Sequence, residues 1–166
     1  MHIIRRASPA EVGVLRSILE YQLQVPGVGE ALPDDVLLKI SRSTGRIREV
    51  LMSNGTALAS ILAATYTFNI KLPLASRVHE LVSPPRLRAV VVNEVAGDVL
   101  AYRSTLFARH ILSIDERLRA GDEVLIVDEN DNLLCVGRLT LAPDEVLHFI
   151  RGAAVKLREC VENGSS

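Results

Sequence analysis

Apolar residues recur every three to four positions between residues 8 and 23, as they do along one face of a helix. The segment SPAEVGVLRSILEYQL begins with Ser8 and has Glu11 three residues later, which is the pattern of a capping box. Pro9 stands in the first helical turn, where its missing N–H has no cost. The pattern therefore predicts an amphipathic helix over residues 8–23.

The rest of the first half consists of short apolar runs separated by turn residues. A proline and two acidic residues at 33–35 predict a second, shorter helix over residues 33–40. Three strand-like runs follow at 46–52, 56–63 and 67–72, and residues 74–82 again have helical spacing. The Ser-Pro-Pro sequence at 83–85 stops that helix and marks the predicted end of an amino-terminal domain, residues 1–85.

The second half has closely spaced strands with brief helical inserts. Four strand regions are predicted: residues 88–95, the end of the segment 97–112 after a short helix, the two sides of a turn at 129–132, and residues 153–160. A short helix at 143–150 is expected to end before Gly152. The predicted fold class is α+β: an N-terminal α/β domain with a small antiparallel sheet, then a mixed pseudo-barrel over 86–160 and a flexible tail at 161–166.

Composition restricts the class of protein. Apolar residues make up 48% of the chain, aromatic residues only 4%, and Trp is absent, so the core must be aliphatic. The net charge of −1 argues against a strongly basic protein that binds polyanions mainly by counterion release, but a local basic surface stays open. No apolar run reaches the roughly 18 residues of a membrane helix, and no signal-peptide core precedes the first charges. We expect a soluble, cytoplasmic protein.

The two cysteines, Cys135 and Cys160, are too few for a disulfide framework or a metal site. We interpret them first as two small buried residues, because free cysteine packs like a small apolar side chain. A single structural disulfide between them is the alternative, which the cytosol of hyperthermophiles permits.

Common catalytic signatures are missing from the sequence. It contains no GxGxxG, GxxxxGK[ST], HExxH or GxSxG motif. The four histidines lie far apart with no carboxylate cluster beside them, so no metal ion and no cofactor is predicted. Glu80 and Asp98 could be imagined as a catalytic pair, but nothing in their spacing supports it. We predict a protein that is not an enzyme.

Arginine usage is the clearest chemical signal, since Lys occurs only at positions 39, 71 and 156. Guanidinium groups suit phosphates and base edges, although they also form surface ion pairs. Hydroxyls and free backbone N–H groups at a helix-to-strand connection such as YRSTLFAR (102–109) bind phosphate. If the first and last strands of the barrel are neighbours, Arg103, Arg109, Lys156 and Arg158 form one basic surface. The alternative is that these residues only form a solvated strand face. The candidate RNA-binding residues in this half are Arg103, Ser104, Thr105, Arg109, Lys156 and Arg158.

Residues 90–158 resemble a PUA domain, the small pseudo-barrel RNA-binding module of RNA-modifying proteins. The resemblance lies in the order VVVNEV, LFARHIL, GDEV at 121–124, VGR at 136–138 and RGAAV at 151–155. It implies a PUA fold and an RNA-binding role. One departure concerns Arg103, which stands where the family pattern has glycine.

The first half resembles the segment that precedes the PUA domain in archaeosine tRNA-guanine transglycosylases. YQLQVPGVGEAL (21–32) and then SRSTGRIREV (41–50) carry this resemblance. The arginine cluster within it adds Arg46 and Arg48 to the candidate contacts, with RNA, the PUA module or a partner protein as the surface they meet. The catalytic barrel of that family, with its aspartate nucleophile and zinc site, has no counterpart in these residues.

The resemblance implies an archaeal, non-catalytic protein that binds tRNA at the acceptor stem and assists base modification, as a separate subunit of an archaeosine transglycosylase. The alternative is a protein-interaction or ribosome-assembly adaptor with a PUA fold. Alanine at Lys156 or Arg158 is expected to weaken tRNA binding with little loss of thermal stability. The oligomeric state stays open, with a homodimer among the options.

Overall fold

A computed structural model of the chain describes residues 1–148 and 151–162. The chain forms two compact units, Met1–Leu81 and a second that begins at Val82. None of the helices among these residues is long and apolar enough to cross a membrane.

The amino-terminal unit is an antiparallel sheet with two helices. The sheet has the strand order β1-β2-β3-β4-β5, and each strand is antiparallel to its neighbours. Apolar side chains of both helices and of the sheet form its core, with Leu19, Leu38 and Phe68 fully buried. The elements are β1 (His2–Arg6), α1 (Pro9–Leu23), a 3₁₀ turn (Val28–Ala31), β2 (Leu37–Ser41), β3 (Ile47–Leu51), β4 (Ala57–Ile61), β5 (Phe68–Ile70) and α2 (Leu72–Leu81).

The predicted capping box of α1 is confirmed. The Ser8 hydroxyl accepts from the Glu11 N–H at 3.1 Å, and the Glu11 carboxylate accepts from the Ser8 N–H at 2.8 Å. Glu11 also accepts two bonds from the Arg5 guanidinium on β1, at 2.8 and 2.7 Å. The Arg5 guanidinium, followed by the Ser8 N–H, lowers the pKa of Glu11 to about 2.

The helix predicted over residues 33–40 is wrong. Residues 37–41 form β2, which pairs with β1 on one side and β3 on the other, so its backbone groups are bonded to neighbouring strands. β1 itself was not predicted, because all five of its residues are exposed and no alternation marks it as a strand.

The carboxy-terminal unit is a six-stranded mixed sheet that curls into a half-barrel, in the order β7-β11-β10-β9-β6-β8. β6 and β9 run parallel, and every other neighbouring pair is antiparallel. The elements are β6 (Arg88–Val91), α3 (Asn93–Tyr102), β7 (Thr105–Phe107), a 3₁₀ turn (Ala108–His110), β8 (Ile111–Ile114), β9 (Glu123–Val127), β10 (Leu133–Leu139), α4 (Pro143–His148) and β11 (Ala153–Cys160). The predicted α+β class is confirmed.

Two predicted features fall partly outside the described residues. They are the last turn of the helix at 143–150, which includes Phe149 and Ile150, and residues 163–166 of the predicted flexible tail.

Cys135 and Cys160 form a disulfide, so our first interpretation of them as two free buried thiols is wrong. They stand directly opposite each other in the β10–β11 register, which brings their Cα atoms to 4.0 Å. The sequence holds no direct sign of this register, because it depends on a bulge within the pairing of the two strands.

A buried carboxylate connects two loops of the same unit. Asp115 accepts from the N–H groups of Leu87 at 2.7 Å and Arg117 at 3.0 Å, and from the Arg86 guanidinium at 2.5 Å. Burial raises the pKa of Asp115, but these three donors outweigh it, so the pKa lies below its ordinary value.

Candidate functional site

The carboxy-terminal unit has a surface pocket of about 440 Å³ where α3, β7 and the 3₁₀ turn meet. Three of the six candidate residues predicted for this unit lie in it, namely Ser104, Thr105 and Arg109. The full lining is Asp98, Val99, Ser104, Thr105, Leu106, Phe107, Arg109 and His110.

Arg103 shapes the entrance to β7 without lining this pocket. It ends α3 in the left-handed conformation, with φ 57°, and its N–H donates to the Val99 carbonyl at 3.0 Å. Glycine adopts this conformation without steric cost, whereas a residue with a side chain adopts it rarely. The Arg103 guanidinium donates instead to the carbonyl oxygens of Cys160 and Val161 at the end of β11.

An exposed aromatic ring forms one wall of the pocket. Leu106 is buried, so Phe107, the next residue of β7, faces the other way and keeps 41% of its surface exposed. The Arg109 guanidinium carbon lies 5.4 Å from the centre of the Phe107 ring, and Arg109 Nε donates to His110 Nε2 at 3.3 Å. A flat ring beside a guanidinium is a surface on which a nucleobase can stack.

Asp98 brings a carboxylate to the same pocket. A carboxylate repels phosphate, but it accepts hydrogen bonds from the amino groups of bases and from ribose hydroxyls. Together with the hydroxyls of Ser104 and Thr105, it suits an unpaired nucleotide better than a bare phosphate. Sequence reasoning missed Phe107 and His110, and it considered Asp98 only as half of a catalytic pair with Glu80. An outward Phe in a chain with only three Phe residues was the available signal.

Lys156 lies next to the pocket. It pairs with Thr105 across β11 and β7, so the two side chains are neighbours on one face of the sheet. Lys156 is exposed and makes no ion pair within the part of the chain that the structure describes. The first strand of the unit, β6, is not the neighbour of β11; β7 is.

Arg158 has a different environment from Lys156. The register of β10 and β11 shifts between Val136 and Gly137, which leaves Arg158 as the extra residue of a bulge. Its guanidinium donates to both oxygens of Glu123, with Nη2 at 2.9 Å from Oε2. The expectation that alanine at Arg158 leaves thermal stability nearly unchanged is therefore corrected. A contact with RNA by Arg158 stays a prediction.

Arg46 and Arg48 belong to the amino-terminal unit, whereas the other six candidates belong to the carboxy-terminal one. Both are exposed, and Gly45 before them has φ 72°, which allows the tight turn into β3. Arg48 has no partner on β2 because the register shifts there, so simple alternation does not place the two arginines on one face. Desolvation, followed by the positive amino terminus, Lys39 and Arg48, lowers the pKa of His2.

Within residues 1–148 and 151–162 no group of three or more His, Cys, Asp or Glu side chains gathers in a way that could bind a metal ion. The pocket beside β7 brings together three of the candidate residues, Ser104, Thr105 and Arg109.

Comparison with known proteins agrees with this architecture. Residues 88–161 match the PUA domain, and residues 14–85 match the patch-forming domain C2 of tRNA-guanine transglycosylase. The carboxy-terminal unit is therefore a PUA domain, and a transglycosylase C2 domain precedes it.

Relatives that match most of this chain are tRNA-guanine(15) transglycosylases. The protein of Thermococcus kodakarensis is 36% identical over 146 residues, which are 88% of this chain and 24% of that protein. The protein of Pyrococcus furiosus is 38% identical over 148 residues, 89% of this chain and 24% of that protein. Over most of its length the chain is homologous to the carboxy-terminal part of these transglycosylases, and it spans about a quarter of their length.

A solved structure shares the fold of nearly the whole chain. A hypothetical protein of Pyrococcus horikoshii superposes with a TM-score of 0.69 at 16% identity and covers 95% of this chain and 94% of its own. At this identity the likeness concerns the fold alone.

Proposed function

We propose that this chain binds tRNA and positions it for base modification, and that catalytic residues outside this chain perform the chemistry. The observation that supports it best is the pocket beside β7, where the exposed Phe107 ring and the Arg109 guanidinium lie with Asp98 and two hydroxyls. This combination offers stacking, positive charge and hydrogen-bond acceptors, which are the contacts that unpaired nucleotides require.

The proposed contacts fall into three groups. Ser104, Thr105, Arg109 and Lys156 contact the RNA at the pocket, and Arg46 and Arg48 form a further contact on the C2 domain. Arg103 and Arg158 were also candidates, but their guanidinium groups bond to the protein itself. We therefore assign Arg158 a smaller share of the RNA contact and Arg103 no direct contact.

We propose the acceptor stem with its single-stranded 3′ end as the part of tRNA that enters the pocket. The transglycosylase relatives suggest the partner, namely a transglycosylase catalytic region, encoded separately or joined to these domains. Binding the stem would orient the tRNA, and its contribution to the reaction is positioning rather than bond chemistry.

The experiment is a titration of the purified protein with a tRNA transcript, with and without its single-stranded 3′ end, at two salt concentrations. We expect micromolar or tighter binding that weakens when the end is removed and falls steeply as salt rises. Equal, weak binding to both transcripts would contradict the proposal.

A protein-interaction adaptor is the second candidate, and one surface favours it. An almost purely apolar groove of about 230 Å³ lies along α1 in the C2 domain, between Val14, Ile18, Ile61 and Tyr66. Val14 and Tyr66 keep more than half of their surface exposed. If the tRNA titration fails, this groove is the first surface to test for a protein partner, by substituting Val14 with glutamate.

A further inference from the structure

Arg103 connects two parts of the PUA domain that are far apart in sequence. Its Nη2 donates to the carbonyl oxygen of Cys160 at 3.0 Å and to that of Val161. These carbonyls stand at the end of β11, while Arg103 immediately precedes Ser104 and Thr105 of the pocket. The entrance of the pocket strand is thereby fixed to the end of the last strand.

The acceptors of Arg103 are themselves fixed to β10. Cys160 is joined to Cys135 by the disulfide, and Cys135 is fully buried within β10. The Val161 N–H also donates to the Leu134 carbonyl at 2.8 Å. Breaking the disulfide would leave the end of β11 attached to β10 by hydrogen bonds alone.

The segment that carries Ser104 and Thr105 is short and is bonded mainly to β11. The Ser104 carbonyl accepts from the Leu157 N–H at 3.0 Å, and Thr105 pairs with Lys156. Since β7 has only three residues, the position of Ser104 and Thr105 depends on β11 and on Arg103.

We propose that Arg103 is a positioning residue and that, with the Cys135–Cys160 disulfide, it forms a clasp that holds residues 103–105 in the RNA-binding conformation, so that reduction of the disulfide lowers RNA affinity. This inference rests on the proposed function. The Arg103 guanidinium acts through the backbone of β11 and makes no contact with RNA.

The chemical step is a thiol–disulfide exchange with a dithiol. A thiolate of the dithiol attacks the Cys160 sulfur, which belongs to a partly exposed residue, and the Cys135 thiolate leaves and takes up a proton. The second thiolate of the dithiol then displaces Cys160, which is protonated in turn. The protein disulfide gains two electrons and two protons, and the dithiol becomes a cyclic disulfide.

Two measurements on the full chain test the clasp, each with the oxidised protein and with protein reduced by dithiothreitol. The first is tRNA affinity, and the second is hydrogen exchange of the Leu157 amide, whose acceptor is Ser104. The variants are Arg103→Gly, which keeps the left-handed backbone and removes the guanidinium, and Cys135→Ala with Cys160→Ala.

For the native sequence we expect reduction to weaken tRNA binding by about tenfold, the lower end of the loss that follows when a hydrogen bond to a charged group is released, and to speed exchange of the Leu157 amide. In Arg103→Gly, reduction should change neither the tRNA affinity nor the exchange rate of the Leu157 amide, because the guanidinium that bonds to the end of β11 is already missing. Arg103→Gly should also leave the salt dependence of binding unchanged, whereas a residue that contacts phosphate lowers the slope by about one.

Three results would overturn the clasp. They are an exchange rate of the Leu157 amide that does not change on reduction, an effect of reduction in Arg103→Gly equal to that in the native protein, or a lower salt slope of tRNA binding in Arg103→Gly. If the oxidised native protein binds no tRNA, the proposed function fails. Hydrogen exchange would then still decide whether the clasp exists, because it requires no RNA.

Discussion

Arg158 donates to both carboxylate oxygens of Glu123, and Glu123 is only 3% exposed. The Arg138 guanidinium lies 3.4 Å from the same carboxylate, so one buried acid is shared between β10 and β11. Removing one partner of such a pair leaves a buried charge that is only partly compensated.

Arg158→Ala should therefore lower the free energy of unfolding by about 3 kcal/mol, measured by denaturant or thermal unfolding. Lys156→Ala, two residues away on the same strand, should cost less than about 0.5 kcal/mol. Adding Glu123→Gln to Arg158→Ala should recover part of the loss, because the uncompensated charge is removed. Equal stability of the two single variants would contradict this assignment of Arg158.

The Phe107 ring should contribute stacking to RNA binding. Phe107→Leu keeps an apolar side chain but removes the flat ring, and should weaken tRNA affinity about tenfold. Phe107→Tyr keeps the ring and should bind nearly as well as the native protein. Titration with a fluorescent tRNA measures both. Equal affinities for the Leu and Tyr variants would exclude stacking at this position.

The Arg5–Glu11 pair should stabilise the amino-terminal unit in a pH-dependent way. The folded-state pKa of Glu11 is lowered to about 2 from an ordinary value of 4.5, so its contribution is full above pH 4.5 and is lost as the pH falls toward 2. Because both side chains are partly exposed, we expect Glu11→Gln to cost about 1 kcal/mol at pH 7.

Unfolding of Glu11→Gln and the native protein between pH 2 and pH 7 tests this, and the difference should close near pH 2. Glu30→Gln, an exposed glutamate of the same unit, is the control. A difference that stays constant with pH would contradict the assignment of this stability to the charge of Glu11.

Two glycines of the PUA domain should respond to alanine in opposite directions. A Cβ at Gly137 would lie 2.5 Å from the Lys156 carbonyl oxygen and 2.9 Å from Val155 Cγ1, so β10 and β11 would have to separate. Gly137→Ala should therefore cost about 2 kcal/mol. Gly97 lies within α3 with open space around it, and Gly97→Ala should add about 0.5 kcal/mol. Thermal unfolding compares them, and the prediction fails if both changes have the same sign.

Local signals in the sequence predicted α1, α2, the strands β3 to β5 and the β9–β10 hairpin well. The capping box of α1 lies within four residues, so nothing distant is needed to recognise it. The prediction at 33–40 was wrong because Pro33 and two acidic residues are also typical of a helix start. The hydrogen bonds that make residues 37–41 a strand come from β1 and β3.

The candidate site was predictable only in part for the same reason. Ser104, Thr105 and Arg109 are neighbours in sequence, and their position between a helix and a strand was visible there. The bulges at Arg48 and Arg158 were not visible, because register depends on partner strands. Nor could the sequence indicate that Arg103 turns toward Cys160, 57 residues away.

Whether the pocket beside β7 binds RNA is tested most directly by comparing two double variants that each remove two positive charges. Arg109→Ala with Lys156→Ala removes two cations at the pocket, whereas Arg117→Ala with Arg119→Ala removes two exposed cations from the loop before β9, which does not line the pocket. We expect the tRNA affinity of the first variant to fall at least tenfold and its salt slope to drop by about two, while the second variant stays close to the native protein. Equal losses in both variants, or none in the first, would contradict the assignment of this pocket as the RNA-binding site.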